Sequence, residues 1–403
     1  MVKSIKKLYT QNILIGITAA FIACTGPVIF IIDAADSMGY SERELISWVA
    51  SIYTFGGIAS FLLTMYFKMP LIGAHSLAAV AFIGASAVHY SLSELVGSFV
   101  ISGIIIIIIG TTNLFNKLIK YLPVPLIDAM LAGLLMNYMF KVIPAITELP
   151  IVGFSAVVGF FLTPLLSKQI PRFIGALFTG TVALLIVYQP FYVESIQVIF
   201  PELITPSFSF VSIISLSIPM VFLILSNDTA VALSSLKRNG YDPPISKTII
   251  VSGVFTTIAS FFGGHAAGVG GMTTALCSSP EVGAKEKRYQ AAIVGSILIM
   301  LFGLFAWFTV PLIVVLPNSY ISIIAGFSLI GVLTSSIHSS FKDSKFYYSA
   351  TFTFIISLSG ISAFQISSAV WALIVGFITM KILKEGQSNE ISDPQLAKKS
   401  KGI

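Results

Sequence analysis

Apolar stretches averaging about 20 residues recur along nearly the whole chain, separated by short polar breaks. That length carries a helix across the roughly 30 Å of hydrocarbon in a bilayer. Period-two alternation is missing, which argues against a membrane β-barrel. Only 10% of residues are charged while 56% are hydrophobic, so the solvent for most of this surface has to be lipid. The reading is an all-α polytopic membrane protein with fourteen spans, at 12–32, 44–66, 70–88, 93–112, 123–143, 150–167, 171–190, 209–227, 246–262, 264–279, 289–309, 316–337, 345–359 and 365–383. Asn12 to Ile32 is long and has no small-residue cleavage site, so it reads as the first span rather than a secretory signal.

An even number of spans places Lys3, Lys6, Lys68, Arg172, Lys237, Arg238 and Lys285 on one side. By the positive-inside rule that side is the cytoplasm, with both termini there and the chain in the inner membrane. Arg43 and Lys141 are the exceptions. The net charge of +6 therefore reflects topology and not nucleic-acid binding. Cys24 and Cys277 are too few and too far apart for a disulfide or metal framework. A P-loop and an H-E-x-x-H motif are both missing, so neither an ATP-driven pump nor a metalloenzyme is expected, and no cofactor. His89, His338 and Asp128 are expected near the membrane interfaces.

Four pairs of strings recur in the same order at offsets of roughly 190 to 200. Gly39-Tyr40 matches Gly240-Tyr241, and Ile58 to Phe61 matches Ile258 to Phe261. Gly73-Ala74-His75-Ser76 resembles Gly263-Gly264-His265-Ala266, and Pro123 with Ala132-Gly133 resembles Pro317 with Ala325-Gly326. Each half holds seven spans, an odd number, so the second half enters from the opposite face. Loop charge agrees: Gly39-Tyr40 sits among Asp33, Asp36, Glu42 and Glu44, and Gly240-Tyr241 among Lys237, Arg238 and Lys247. The expected division is a first inverted repeat at 1–206, a second at 207–384 and a polar cytoplasmic tail at 385–403. Inverted repeats belong to secondary transporters, whose site lies at the repeat interface near the midplane.

The third and tenth spans begin Pro70 to Ser76 and Gly263 to Gly271, with proline and clustered glycine that stop a helix from running through. Short extended segments followed by half-helices are expected, shielded by protein or a water-filled cavity. Two such N-termini meeting at the midplane offer free N–H groups to an anion. The site expected there takes His75, Ser76, Gly264, His265 and Ala266 from the two breaks. Counting back thirteen residues from Gly240 and from Gly39 pairs Asn227-Asp228 with Gly26-Pro27, next to Thr25. Thr25, Gly26 and Asn227 join the substrate-binding set. Asp228, His265 and His75 are the candidates for carrying a proton, since an ionisable group inside the membrane marks function by default. Pro27 is expected to free a carbonyl on its helix.

Phe262 to Ala267 with Thr273 to Cys277, Ser226-Asn227 leading to Ala232-Leu233 and Gly240 to Pro244, Pro70 to His75, and Thr25-Gly26-Pro27 together resemble the benzoate:proton symporter (BenE-type) family. The resemblance covers nearly the whole membrane region and departs from the family's usual pattern at Gly268 and Asp228. It is similar in fold to nucleobase–cation symporters and sulfate-permease-type carriers. It implies a core domain from spans 1–4 and 8–11, a gate domain from spans 5–7 and 12–14, elevator-like movement, and a homodimer. The function expected is proton-coupled import of a small organic carboxylate, an aromatic acid such as benzoate. A nucleobase:proton symporter and a passive inorganic-anion transporter or channel are the alternatives, and an enzyme is not expected.

Overall fold

The computed structural model describes residues 2–87, 89–115, 123–166, 172–188, 197–361, 363 and 367–386. Most of the polar tail, from 387 on, and residues 1, 88, 116–122, 167–171, 189–196, 362 and 364–366 lie outside them. Among the described residues, fourteen principal helices follow the expected spans. They are α1 (Val2–Ser37), α2 (Glu42–Phe67), α3 (Leu77–Ser86), α4 (Leu92–Thr111), α5 (Val124–Glu148), α6 (Pro150–Leu166) and α7 (Arg172–Val187) in the first half. The second half holds α8 (Phe210–Arg238), α9 (Ile245–Ser260), α10 (Gly271–Ser278), α11 (Tyr289–Leu304), α12 (Asn318–Lys342), α13 (Tyr347–Ser359) and α14 (Ser368–Ile382). A short helix, Ala306–Val314, extends α11. Seven helices among the described residues are long and apolar enough to cross a bilayer unaided.

α3 has 10 residues and α10 has 8. At 1.5 Å per residue they reach about halfway through the hydrocarbon, as half-helices should. The segments before them are extended and pair antiparallel: Gly268 N–H donates to Ala74 C=O at 3.1 Å and Gly270 N–H to Ile72 C=O at 3.0 Å. Two such bonds form a short ribbon at the centre of the molecule.

Local chemistry repeats between the halves. α1 and α8 end in the same turn, with Tyr40 N–H bonded to Ala35 C=O and Tyr241 N–H to Leu236 C=O, each at 3.0 Å. Gly39 (φ +70°) and Gly240 (φ +81°) occupy the left-handed position that this helix ending demands. Pro123 and Pro317 start α5 and α12 with nearly the same backbone, φ −59° ψ 138° and φ −56° ψ 138°, and each helix runs 25 residues.

Helices pack in two groups. α4 packs on α9, α2 on α11, α1 on α3 and α11, and α8 on α10. Separately, α5 packs on α12 and α13, α6 on α7, and α13 on α14. The groups meet mainly through α1 against α12 and α3 against α5.

Candidate functional site

The ribbon leaves backbone groups that the half-helices cannot satisfy, and hydroxyls from neighbouring helices supply them. Ser60 Oγ of α2 accepts from Gly73 N–H at 2.9 Å and donates to Gly73 C=O at 2.8 Å. Thr256 Oγ1 of α9 makes the same pair of bonds to Ala267, at 3.0 and 3.3 Å. Thr274 Oγ1 donates to Ile72 C=O at 2.8 Å and accepts from Ile72 N–H at 3.2 Å. The strands cross at glycine because nothing larger fits: a Cβ on Gly73 would stand 2.0 Å from Gly270 N.

These contacts fix the repeat register. Leu77 and Gly271 open the half-helices, Ser76 and Gly270 cap them, and Gly73 and Ala267 take equivalent hydroxyl pairs. The offset is 194 residues, taken from Leu77 and Gly271. His75 is therefore equivalent to Val269, and His265 to Leu71. The two glycine–histidine strings, expected at matching places, do not match. Gly263 (φ +85°) and Gly264 belong to the turn that closes α9, where Gly264 N–H bonds Ala259 C=O at 3.0 Å. Even so, both imidazoles reach the centre, with ring centroids 5.2 Å apart.

Their surroundings differ. His265 is fully buried. Trp48 Nε1 donates to its Nδ1 at 2.9 Å, and an indole only donates. Nδ1 is therefore the acceptor, and Nε2–H donates to Ser76 C=O at 3.1 Å. With both nitrogens used in the neutral form, a second proton would set two donors against each other.

His75 is positioned by a longer chain that starts at Pro27. Proline lacks the N–H that Ala23 C=O would accept four residues on. Tyr53 Oη takes that place, donating to Ala23 C=O at 3.0 Å. The phenol oxygen then accepts from His75 Nε2–H at 3.2 Å. Nδ1 of His75 keeps its lone pair and is buried with no protein partner.

A cavity opens where the half-helix starts meet α8. Gly73, Ala74, His75 and Leu77 line it from one break, Gly270 to Thr273 from the other, and Asp228 from α8. Ile22, Ala23, Gly26 and Pro27 of α1, Phe173 of α7 and Ser328 of α12 complete the wall. Its open space is about 110 Å³, against about 10–15 Å³ for one water by the same measure. The first N–H groups of the half-helices, at Leu77, Ala78, Gly271 and Met272, have no intrahelical acceptor. At Asp228, α8 widens into a π-helical turn over Ile224–Thr229, a distortion frequent at functional positions. Asp228 shares the wall of a smaller cavity with Ser76, and its Oδ2 is buried without a partner.

Of the residues named from sequence, Gly26, His75 and Asp228 line this cavity, with Ser76 and Ala266 in a smaller one behind it. Thr25 is turned onto its own helix, donating to Phe21 C=O at 2.8 Å. Asn227 donates to Ser226 Oγ at 3.0 Å and stands outside the wall. His265 braces the first break through Ser76 C=O, while Gly264 stays in the turn that closes α9. α10 starts at Gly271, five residues beyond Ala266, so Ala266 offers no helix-terminal N–H. Asp128 lies in the first turns of α5, as expected near a span start, and is buried (7% exposed) beside Ser339 of α12. Sequence reasoning missed Tyr53, Trp48, Phe173 and Ser328. Only Tyr53 had a signal, since a mid-helix proline orphans a carbonyl that some donor must reach.

Residues 7–382 match the family described as "Benzoate membrane transport protein". The inner membrane protein YdcO of Escherichia coli K12 is 28% identical over 380 residues, 92% of this chain and 95% of that one. The benzoate membrane transport protein of Acinetobacter baylyi is 27% identical over 388 residues, 95% of this chain and 98% of its own. Among solved structures, SLC26A9 superposes with a TM-score of 0.63 at 14% identity, over 94% of this chain and 66% of that one. The transmembrane domain of the cyanobacterial bicarbonate transporter BicA gives 0.60 at 15%, over 91% and 96%. These likenesses assign the fold, two inverted repeats of seven helices. Matched from near its start to the end of α14, this chain belongs to the benzoate membrane transport protein family and is a multi-pass membrane transporter, not an enzyme.

Proposed function

We propose that the chain imports a small aromatic carboxylate, such as benzoate, together with a proton. The observation that carries this reading is the cavity itself: two helix N-termini on one side, apolar side chains on the other, one buried carboxylate between. The substrate carboxylate sits on the N–H groups of Leu77, Ala78, Gly271 and Met272, favoured by the dipole ends. Its ring packs on Ile22, Phe173 and Met272. Two carboxylates in one low-dielectric cavity cannot both ionise cheaply. Asp228 is therefore protonated when the anion binds, and this links the two fluxes. His265 is a support and not a proton carrier, because its ring nitrogens are already paired.

The packing groups support an elevator reading, with α1–α4 and α8–α11 as the moving core and α5–α7 and α12–α14 as the gate. The cavity spans that boundary, since Phe173 and Ser328 belong to the second group. The distribution of lysine and arginine supports an inner-membrane orientation with both termini in the cytoplasm.

In proteoliposomes, labelled benzoate should accumulate under an inward proton gradient, and a protonophore should abolish the accumulation. Asp228→Asn should keep counterflow and lose accumulation. Downhill flux alone, indifferent to Asp228→Asn, would replace this reading with a passive anion pathway. Asp228 also suits a neutral ring bearing N–H donors, so a nucleobase is the second reading; competition by uracil or xanthine, with none by benzoate, would select it.

A further inference from the structure

Behind the main cavity lies a second one of about 10 Å³, close to the roughly 10–15 Å³ that one water requires. Its wall takes His75 and Ser76 from the first break, Asp228 from α8, Ser252 from α9 and Ala266 to Val269 from the second break. Three residues of this wall each carry a buried side-chain atom with no protein partner: His75 Nδ1, Asp228 Oδ2 and Ser252 Oγ. Few groups of this kind go unpaired in native proteins, because each costs its desolvation. Here the three residues that carry them line one water-sized space.

Their chemistry is complementary to a single water. His75 Nδ1 is an acceptor, since Nε2–H is committed to Tyr53. An ionised Asp228 Oδ2 is also an acceptor. Ser252 is a hydroxyl that can donate. A water has two hydrogens for the two acceptors and a lone pair for the donor. We propose that one bound water, held by Ser252, joins Asp228 to His75 and makes them a single proton-carrying unit.

The transfer is balanced. The proton on Asp228 Oδ2 passes to the water oxygen as another of the water's protons passes to His75 Nδ1. A neutral acid and neutral imidazole become a carboxylate and an imidazolium, and the water is regenerated. One proton thus has two residences, and the pair titrates with macroscopic values that belong to neither residue alone. Asp228 and His75 are the only titratable side chains on this wall. The nearest others are Tyr53, at 3.2 Å from His75, and His265, whose ring centroid is 5.2 Å away. His265 is held neutral by Trp48 and Ser76. Ser252 is a positioning residue: it holds the water and does not carry the proton. Gly268 keeps the space open, because a Cβ there would come within 2.6 Å of Ser252 Oγ.

This inference rests on the proton-coupled reading above, yet its test needs no substrate. The full chain in lipid nanodiscs is titrated by infrared difference spectroscopy, following the carboxylic-acid C=O stretch of Asp228. The band is assigned by its loss in Asp228→Asn or, if that variant does not fold, by its displacement in Asp228→Glu. His75→Gln removes one residence of the proton, so the midpoint should fall. Ser252→Ala removes the water that donates to the carboxylate, so the midpoint should rise. Each shift should be about half a pH unit or more, within the range that neighbouring groups produce. Opposite shifts support the proposal, because general loosening of the site would move both variants the same way. Unmoved midpoints, or shifts of one sign, overturn it. So does a wild-type midpoint that moves on exchanging choline chloride for sodium chloride, which would put a cation in the space. If the opposite shifts appear and labelled benzoate is not carried, the substrate assignment fails alone.

Discussion

Pro27 shows how one residue sets the chemistry of another three contacts away. It removes a donor from Ala23 C=O, Tyr53 fills the gap, and the orientation of the phenol fixes which nitrogen of His75 is bare. Tyr53→Phe should orphan both the carbonyl and His75 Nε2–H. A loss of about 1–3 kcal/mol of stability is expected for each buried group left unpaired, seen as a lower melting temperature in detergent. Transport should fall more than stability explains, since His75 is then free to present either nitrogen. Trp48→Phe is the contrasting case. It strips the donor from His265 Nδ1 and should also cost about 1–3 kcal/mol. Because His265 carries no coupling proton in our reading, the pH dependence of uptake should keep its midpoint. A shift in that midpoint would return His265 to the proton path. Both histidines were legible from sequence as rare ionisable groups inside a membrane. Their different roles were not, because these depend on Trp48 and Tyr53, residues whose bonds span 217 and 22 positions respectively.

At the scale of elements, the two half-helices were legible because proline and clustered glycine cannot continue a helix. The inverted repeat was legible from turn chemistry, and Gly39 and Gly240 do hold equivalent turns. The register at the centre was not. Similar strings around the histidines suggested one pairing, while the backbone bonds of the ribbon fix another. Those bonds are made by N–H and C=O groups that every residue shares, so the sequence carries little trace of them. Glycine gives the only mark, where strands touch. Gly73→Ala should therefore be far worse than Gly39→Ala. The first places a carbon 2.0 Å from Gly270 N, whereas the second meets nothing within 4 Å. Gly39→Ala should cost about 1–2 kcal/mol for its left-handed backbone. Gly73→Ala should cost at least the about 1–3 kcal/mol of an overpacked core and separate the ribbon. Fluorescence-detected size exclusion with a melting series compares them; equal melting points would mean that the crossing has room to relax.

The whole molecule is closed on one side of the cavity, and the closure can be located by counting turns. Gly26 and Leu77 line the cavity on α1 and α3. One turn further from it, Phe30 stacks edge-on against Tyr138 of α5 at 4.5 Å, and Tyr138 Oη donates to Ala81 C=O at 3.2 Å. About one turn further still, Asp33 pairs with Lys141 at 3.2 Å, while a Cβ on Gly84 would collide with Tyr138 Oη at 2.1 Å. These contacts join the two packing groups at the end where α1 meets its acidic loop, the outer side in our orientation. They also explain Lys141, one of the two cations that stood against the positive-inside pattern: its partner is on the opposing group. Each contact is modest, about 0.2–1 kcal/mol for a partly exposed ion pair and about 0.5–1.5 kcal/mol for a hydrogen bond. That is the right size for a seal that must open in every cycle. Removing both with Tyr138→Phe and Lys141→Ala should shift the balance between closed and open outer sides by roughly threefold to sixtyfold, since 1.4 kcal/mol is a factor of ten. Ala34, fully buried behind the seal, is the reporter. In a chain with Cys24 and Cys277 replaced by alanine, Ala34→Cys should resist a membrane-impermeant maleimide added from outside. It should react several-fold faster once the seal is weakened. Fast labelling with the seal intact, or labelling only from the cytoplasmic side, would mean that the orientation or the direction of closure is reversed.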